Sequence, residues 1–226
     1  MIEVLAPLAL VLVGFAYARR VATLRGQGRE IPLWRQICFA LGLLLLVAAD
    51  MPPLAPLAEE LVVAHMVQHL LVADLAALLV TLGLTGPLLQ PLLALRGLRW
   101  LRVFGNPLVA LPVWALNLYL WHLASLYEGV LTSELLHLLQ HAAFFSFGLA
   151  MWMPLFGPLP KPAWFGNAAM AIYVVVVRLA GAVLANVLAW SGSPLYDAYA
   201  AGEAEHGISP LSDQGAAGTG RVGEAG

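Results

Sequence analysis

The sequence predicts an all-α fold, a polytopic transmembrane helical bundle of about six spanning helices, and three observations carry that expectation. The 226 residues are 61% hydrophobic and only 11% charged, with a mean hydropathy of +0.84, too little polar surface to cover a water-soluble globule. The apolar residues fall into six runs, each near the roughly 20 residues a bilayer demands. Polar stripes at helical period, which a soluble bundle needs along each helix, are missing from these runs.

The runs lie at about 2–18, 34–50, 60–84, 106–122, 135–156 and 167–190, and boundaries read this way are uncertain by about two to four residues. The first lacks a basic start and a small-residue cleavage site, and arginines follow it, so it reads as an uncleaved anchor. Basic residues then orient the bundle. Arg19, Arg20, Arg25, Arg29 and Arg35 flank the first connection, Arg96, Arg99 and Arg102 the third, and Lys161 the fifth. Lysine and arginine concentrate in cytoplasmic loops. These alternate loops are therefore expected inside the cell and both termini outside, with residues 1–190 forming the bundle and residues 191–226 a non-cytoplasmic polar tail. Trp34, Trp100 and Trp164 are placed at the inner interface, and Trp121 and Trp190 at the outer one, as anchors.

Net charge of -2 offers no basic surface for nucleic acid. Cys38 has no second thiol to pair with, which excludes an internal disulfide. Asp74 and Arg178, both mid-membrane, are expected to form a buried ion pair holding two helices in register.

Histidine carries the chemistry. His65 and His69 form one His-x-x-x-His pair and His137 and His141 a second, while His122 ends the fourth run. Side chains four residues apart share a helix face. At about 1.5 Å rise per residue, His65 and His69 lie one to two turns below the outer surface, His122 sits where its run exits and His137 and His141 lie in the first two turns of theirs, so all five fall in one layer. For a single membrane histidine, a helix-to-helix hydrogen bond is the simpler expectation. Five at one depth point to ligation of a transition metal or a haem. Met66 adds a thioether beside His65, and imidazole with thioether suits copper, whereas imidazole with carboxylate also suits zinc or iron. Met66 sits about 100° around the helix from His65, so packing remains open for it. Met151 and Met153 lie too deep to join and are expected in packing. A membrane cytochrome using these histidines as axial ligands and a zinc-dependent membrane hydrolase with Asp50 or Glu128 as base are the alternative readings.

The stretch His65-Met66-Val67-Gln68-His69-Leu70-Leu71, followed by Gly83-Leu84 to Gly86-Pro87, resembles the first signature of the CtaG-type cytochrome c oxidase assembly factors. Trp121-His122-Leu123, Tyr127, His137-Leu138-Leu139-Gln140-His141, Phe144, Gly148, Trp152 and Pro154 are similar to a second block. Pro194-Leu195-Tyr196, Tyr199, Gly207 to Leu211 and Asp213-Gln214 are similar to a third. The resemblance covers roughly residues 60–214. It implies a non-enzymatic protein of the bacterial plasma (inner) membrane that helps assemble a haem-copper oxidase by supplying or retaining copper. The partners it implies are the oxidase subunits, a copper donor protein and the lipid bilayer. His65, His69, His122, His137 and His141 inherit the metal role, with Met66 beside them. One departure stands out: family members continue past Asp-Gln into a seventh hydrophobic helix, whereas Gly215 to Gly226 is polar and glycine-rich and is expected to be disordered.

Overall fold

The computed structural model describes residues 2–219, with side chains from Pro7 onward. Those residues are helical without a strand: α1 (Ile2–Gly26), α2 (Leu33–Ala49), α3 (Leu54–Glu60), α4 (Val62–Gly83), α5 (Gly86–Ala94), α6 (Pro107–Trp121), α7 (Ala124–Leu131), α8 (Glu134–Phe156), α9 (Asn167–Trp190), α10 (Ala200–Glu205) and α11 (Pro210–Thr219). Short 3-10 segments cover Arg96–Gly105 and Asp197–Tyr199.

Among the described residues four helices are long and apolar enough to cross a membrane: Pro7–Gly26 within α1, then α4, α8 and α9. Six spans result if α2 and α3, bent by 49°, count as one and Arg96–Gly105 and α6, bent by 93°, as another. The two expected runs at 34–50 and 106–122 are therefore short. The 17 residues of α2 rise about 26 Å, less than the roughly 30 Å of a hydrocarbon core. The first helix departs the other way, running to Gly26 rather than 18. Arg20 there finds a partner in the first turn of α5, donating to the Pro87 carbonyl at 3.0 Å. Only 11% of the apolar window of α9 is buried within the protein, and α9 turns Ile172, Val175, Leu179 and Val183 outward. Such a surface is stable only against lipid or protein.

The start of α4 follows from a break in the chain. Leu61 is extended (φ -133°, ψ 133°), which separates α4 from α3 and leaves its first N–H groups without intrahelical acceptors. The Asp213 carboxylate of α11 accepts both, from Val62 N at 2.6 Å and Val63 N at 3.1 Å. Over Leu70–Ala76 the helix widens into π geometry, a local unwinding common at functional sites. Trp152 Nε1 donates to the Asp74 carbonyl there at 3.0 Å. Close approach of α8 depends on Gly148, since a Cβ at that position would collide with the Ala73 carbonyl oxygen.

The two ends of the bundle differ in kind. At the end of α4, Arg35 donates to the Leu82 and Leu84 carbonyls at 2.7 and 3.1 Å. At its beginning lie the histidines and the C-terminal segment. Gln214 Oε1 accepts from Leu195 N at 2.7 Å, and its Nε2 donates to the Leu188 carbonyl at 3.1 Å, while Gly218 abuts Ala185 and Ala189 of α9. The expectation of disorder from Gly215 is thus corrected as far as Thr219: the small residues permit a helix to pack tightly where composition alone indicated a free tail. Residues 220–226, also in that expectation, lie outside the described residues.

Candidate metal centre

All five histidines meet at that end of the bundle. His65 and His69 project from the first two turns of α4, His137 and His141 from those of α8, and His122 caps the C-terminus of α6. His65, His69 and His141 are 1%, 5% and 8% exposed, so the cluster is interior rather than a surface patch. Within each helical pair the rings converge through Nε2. His65 Nε2 and His69 Nε2 are 2.8 Å apart, and His137 Nε2 and His141 Nε2 are 3.1 Å apart. Between helices the ring centroids are 5.9 Å apart for His65 and His137, 6.0 Å for His69 and His141, and 5.9 Å for His69 and His122.

Oxygen acceptors fix the tautomers. The Ala58 carbonyl lies 3.2 Å from His65 Nδ1, the Leu118 carbonyl 2.7 Å from His122 Nδ1, and the Asp50 carboxylate 3.0 Å from His141 Nδ1. A carbonyl or carboxylate can only accept, so each Nδ1 bears the proton and each Nε2 presents a lone pair. Such an outer partner orients an imidazole for ligation and raises its basicity. His69 is held differently. The Gln140 side-chain oxygen, 3.1 Å from Nε2, draws the proton there and leaves Nδ1 as an acceptor without a partner.

Surrounding groups lock these rings. Gln68 donates to the Ala49 carbonyl at 2.9 Å and to Asp50 at 3.3 Å, so α4 positions the carboxylate that orients His141 on α8. The Tyr199 hydroxyl lies 2.9 Å from His65 Nδ1 and donates to the Tyr127 hydroxyl at 3.4 Å. Burial raises both Tyr127 and Tyr199 well above the usual tyrosine value, and Tyr196 to about 12, so all three remain protonated. Phe144 packs against His69 and His122, with centroids 4.4 and 6.0 Å away.

A tetrahedral metal bound by imidazole nitrogens at about 2.0–2.1 Å holds those nitrogens about 3.3 Å apart. The spacing inside each pair is close to that bite. The spacing between pairs is wider, and among the described residues no three or more His, Cys, Asp or Glu side chains are gathered so as to hold an ion as they stand. The imidazoles thus stand as two facing pairs, one on α4 and one on α8, each with the spacing of a two-nitrogen bite.

The expected ion pair is present, with Arg178 Nη1 3.0 Å from Asp74 Oδ2. It is not buried inside the protein as expected, because the two side chains are 61% and 27% exposed. Met66 stands apart from the imidazole network and packs against the cluster of Val62, Tyr127 and Tyr196. Met51 is exposed, and Met151 and Met153 are buried deeper in the bundle as packing residues. Sequence reasoning did not assign Asp50, Gln68, Gln140 or Tyr199 these orienting roles. The repeated pattern His-x-x-Gln-His at 65–69 and 137–141 was the available signal for the two glutamines; nothing local marks the other two.

The sequence profile of the cytochrome c oxidase caa3 assembly factor family matches residues 15–220. No curated protein and no solved structure matches the chain.

Proposed function

From the premise that this chain belongs to the cytochrome c oxidase caa3 assembly factor family, we propose that its histidine cluster takes up copper and passes it to an oxidase subunit during assembly. The observation that carries this reading is the set of three imidazoles, His65, His122 and His141, whose Nδ1–H groups are each held by an oxygen acceptor. Their Nε2 lone pairs are thereby preset for a soft or borderline cation. His69 and His137 complete the two halves. Transfer in this account is ligand exchange, not catalysis, and the incomplete gathering of the halves suits a site that must release its cargo.

The basic loops orient the histidine end toward the outside of a bacterial plasma membrane, where both termini also lie and where a copper donor and the nascent oxidase are accessible. Loading releases any proton held between paired imidazoles, so copper retention weakens in acid. The test is oxidase assembly in cells whose only copy carries His65, His69, His137 and His141 all replaced by alanine. Oxidase activity should fall sharply while the protein remains in the membrane, and added copper should restore part of it. Normal activity in that strain would overturn the proposal.

A further inference from the structure

A cavity of about 410 Å³ lies between α4, α6, α8 and α9, with the end of α11 above it. His69 and His122 border one part and Asp74 and Arg178 another, and the wall between them includes Leu118, Phe144 and Val177. His122 Nε2 and His69 Nδ1 are buried without hydrogen-bond partners. Both are lone pairs, since the protons sit on His122 Nδ1, facing the Leu118 carbonyl, and on His69 Nε2, facing Gln140. A buried acceptor left unpaired is destabilising and calls for a donor.

At the other end Arg178 commits Nη1 to Asp74, and no hydrogen bond among the described residues engages its other guanidinium nitrogens. The cavity therefore offers acceptors at one end and donors at the other. His69 and Asp74 are five residues apart on α4, across the π-helical stretch, so their separation along the axis is shorter than the roughly 7.5 Å of a regular α-helix. A single ring bearing oxygen at both ends matches this short separation, whereas a long acyl chain leaves the second polar end unmet. Because Asp74 neutralises Arg178, the far end favours an uncharged oxygen over an anion. Space is also kept open. A Cβ at Gly181 of α9, which lines the cavity, would meet nothing within 4 Å, although glycine inside a helix is less stable than alanine.

We propose that this cavity binds a membrane-soluble hydroquinone, one hydroxyl donating to the lone pair of His122 Nε2 and the opposite oxygen accepting from Arg178. The site shares the His122 Nε2 lone pair with the copper reading, so hydroquinone and copper exclude one another there, and the titration is run on copper-free protein. The test is anaerobic calorimetric titration of the full chain in detergent with a decyl-substituted benzohydroquinone. Binding should be saturable, and the dimethyl ether of the same compound, which has no O–H to donate, should bind at least about tenfold more weakly. Gly181→Leu, whose Cβ would meet nothing within 4 Å and whose remaining atoms enter the cavity, should weaken hydroquinone binding by a similar factor, and Ala182→Phe provides a second filling variant. Circular dichroism and thermal unfolding identify a variant that has lost its fold. Non-saturable uptake, equal binding of the ether, or undiminished binding by both folded variants would overturn the proposal.

Discussion

Asp213 should hold the histidine helix in place from outside it. Its carboxylate, 1% exposed, accepts the first two N–H groups of α4 at 2.6 and 3.1 Å. Replacing it with alanine leaves the Val62 amide buried and unpaired, while that of the half-buried Val63 is able to recruit water. A hydrogen bond to a charged group contributes about 1.5–3 kcal/mol, and loss of a helix cap costs about 0.5–2 kcal/mol. Counting one bond fully and the other in part, and allowing for relief of the nearby Glu203 carboxyl, Asp213→Ala should destabilise by about 2–4 kcal/mol. For a chain of this size that lowers Tm by roughly 4–16 °C. Asp213→Asn, which retains an acceptor, should lose about half as much. Thermal unfolding in detergent gives the size of the effect, and hydrogen exchange at Val62 and Val63 gives its place. Unchanged exchange at these two amides, with Tm within about 2 °C of the parent, would refute the reasoning.

Other perturbations test the same frame. Glu203 is buried beside Asp213, and burial first and that carboxylate second raise its pKa. A folded-state pKa above the unfolded value gives stability that is present below the ordinary carboxylate range and lost as pH rises through the folded value. Unfolding measured across that window should show this loss in the parent, and Glu203→Gln should flatten it. Asp50→Asn removes the charge that orients His141, so copper affinity, read by chelator competition, should fall about 10–100-fold without loss of fold. Arg178→Gln or Asp74→Asn alone should lower thermal stability more than both together, because a single change strands a charge at membrane depth; additive losses would show that the pair is not coupled.

What the sequence makes legible is what it encodes locally. The apolar runs announce the long helices α4, α8 and α9, and the i,i+4 spacing puts His65 with His69 and His137 with His141. The match of Asp74 to Arg178 was also readable, because helix rise alone sets their depths. Their exposure was not, since it depends on how far apart α4 and α9 stand. The orienting groups were hidden for the same reason. Asp50 reaches His141 from 91 positions away in the chain (141 − 50), and Asp213 reaches Val62 across 151. The helical tail was hidden because glycine and alanine read as loose chain by composition, yet at Gly218 smallness is what admits close packing on α9. The break at Leu61, which ends α3 and exposes the α4 amides, follows Glu59 and Glu60 with no proline or glycine beside it to mark it.

The most direct test of the copper account is the amount of copper retained per chain after purification and loading, measured by mass spectrometry of the metal. The parent should hold copper stoichiometrically. His65 and His69 changed to alanine, or His137 and His141 changed to alanine, should each abolish or sharply reduce it in a protein that still folds, and changing all four should cost little more, because the two halves share one ion. Copper retained undiminished by the folded four-alanine protein would contradict the account.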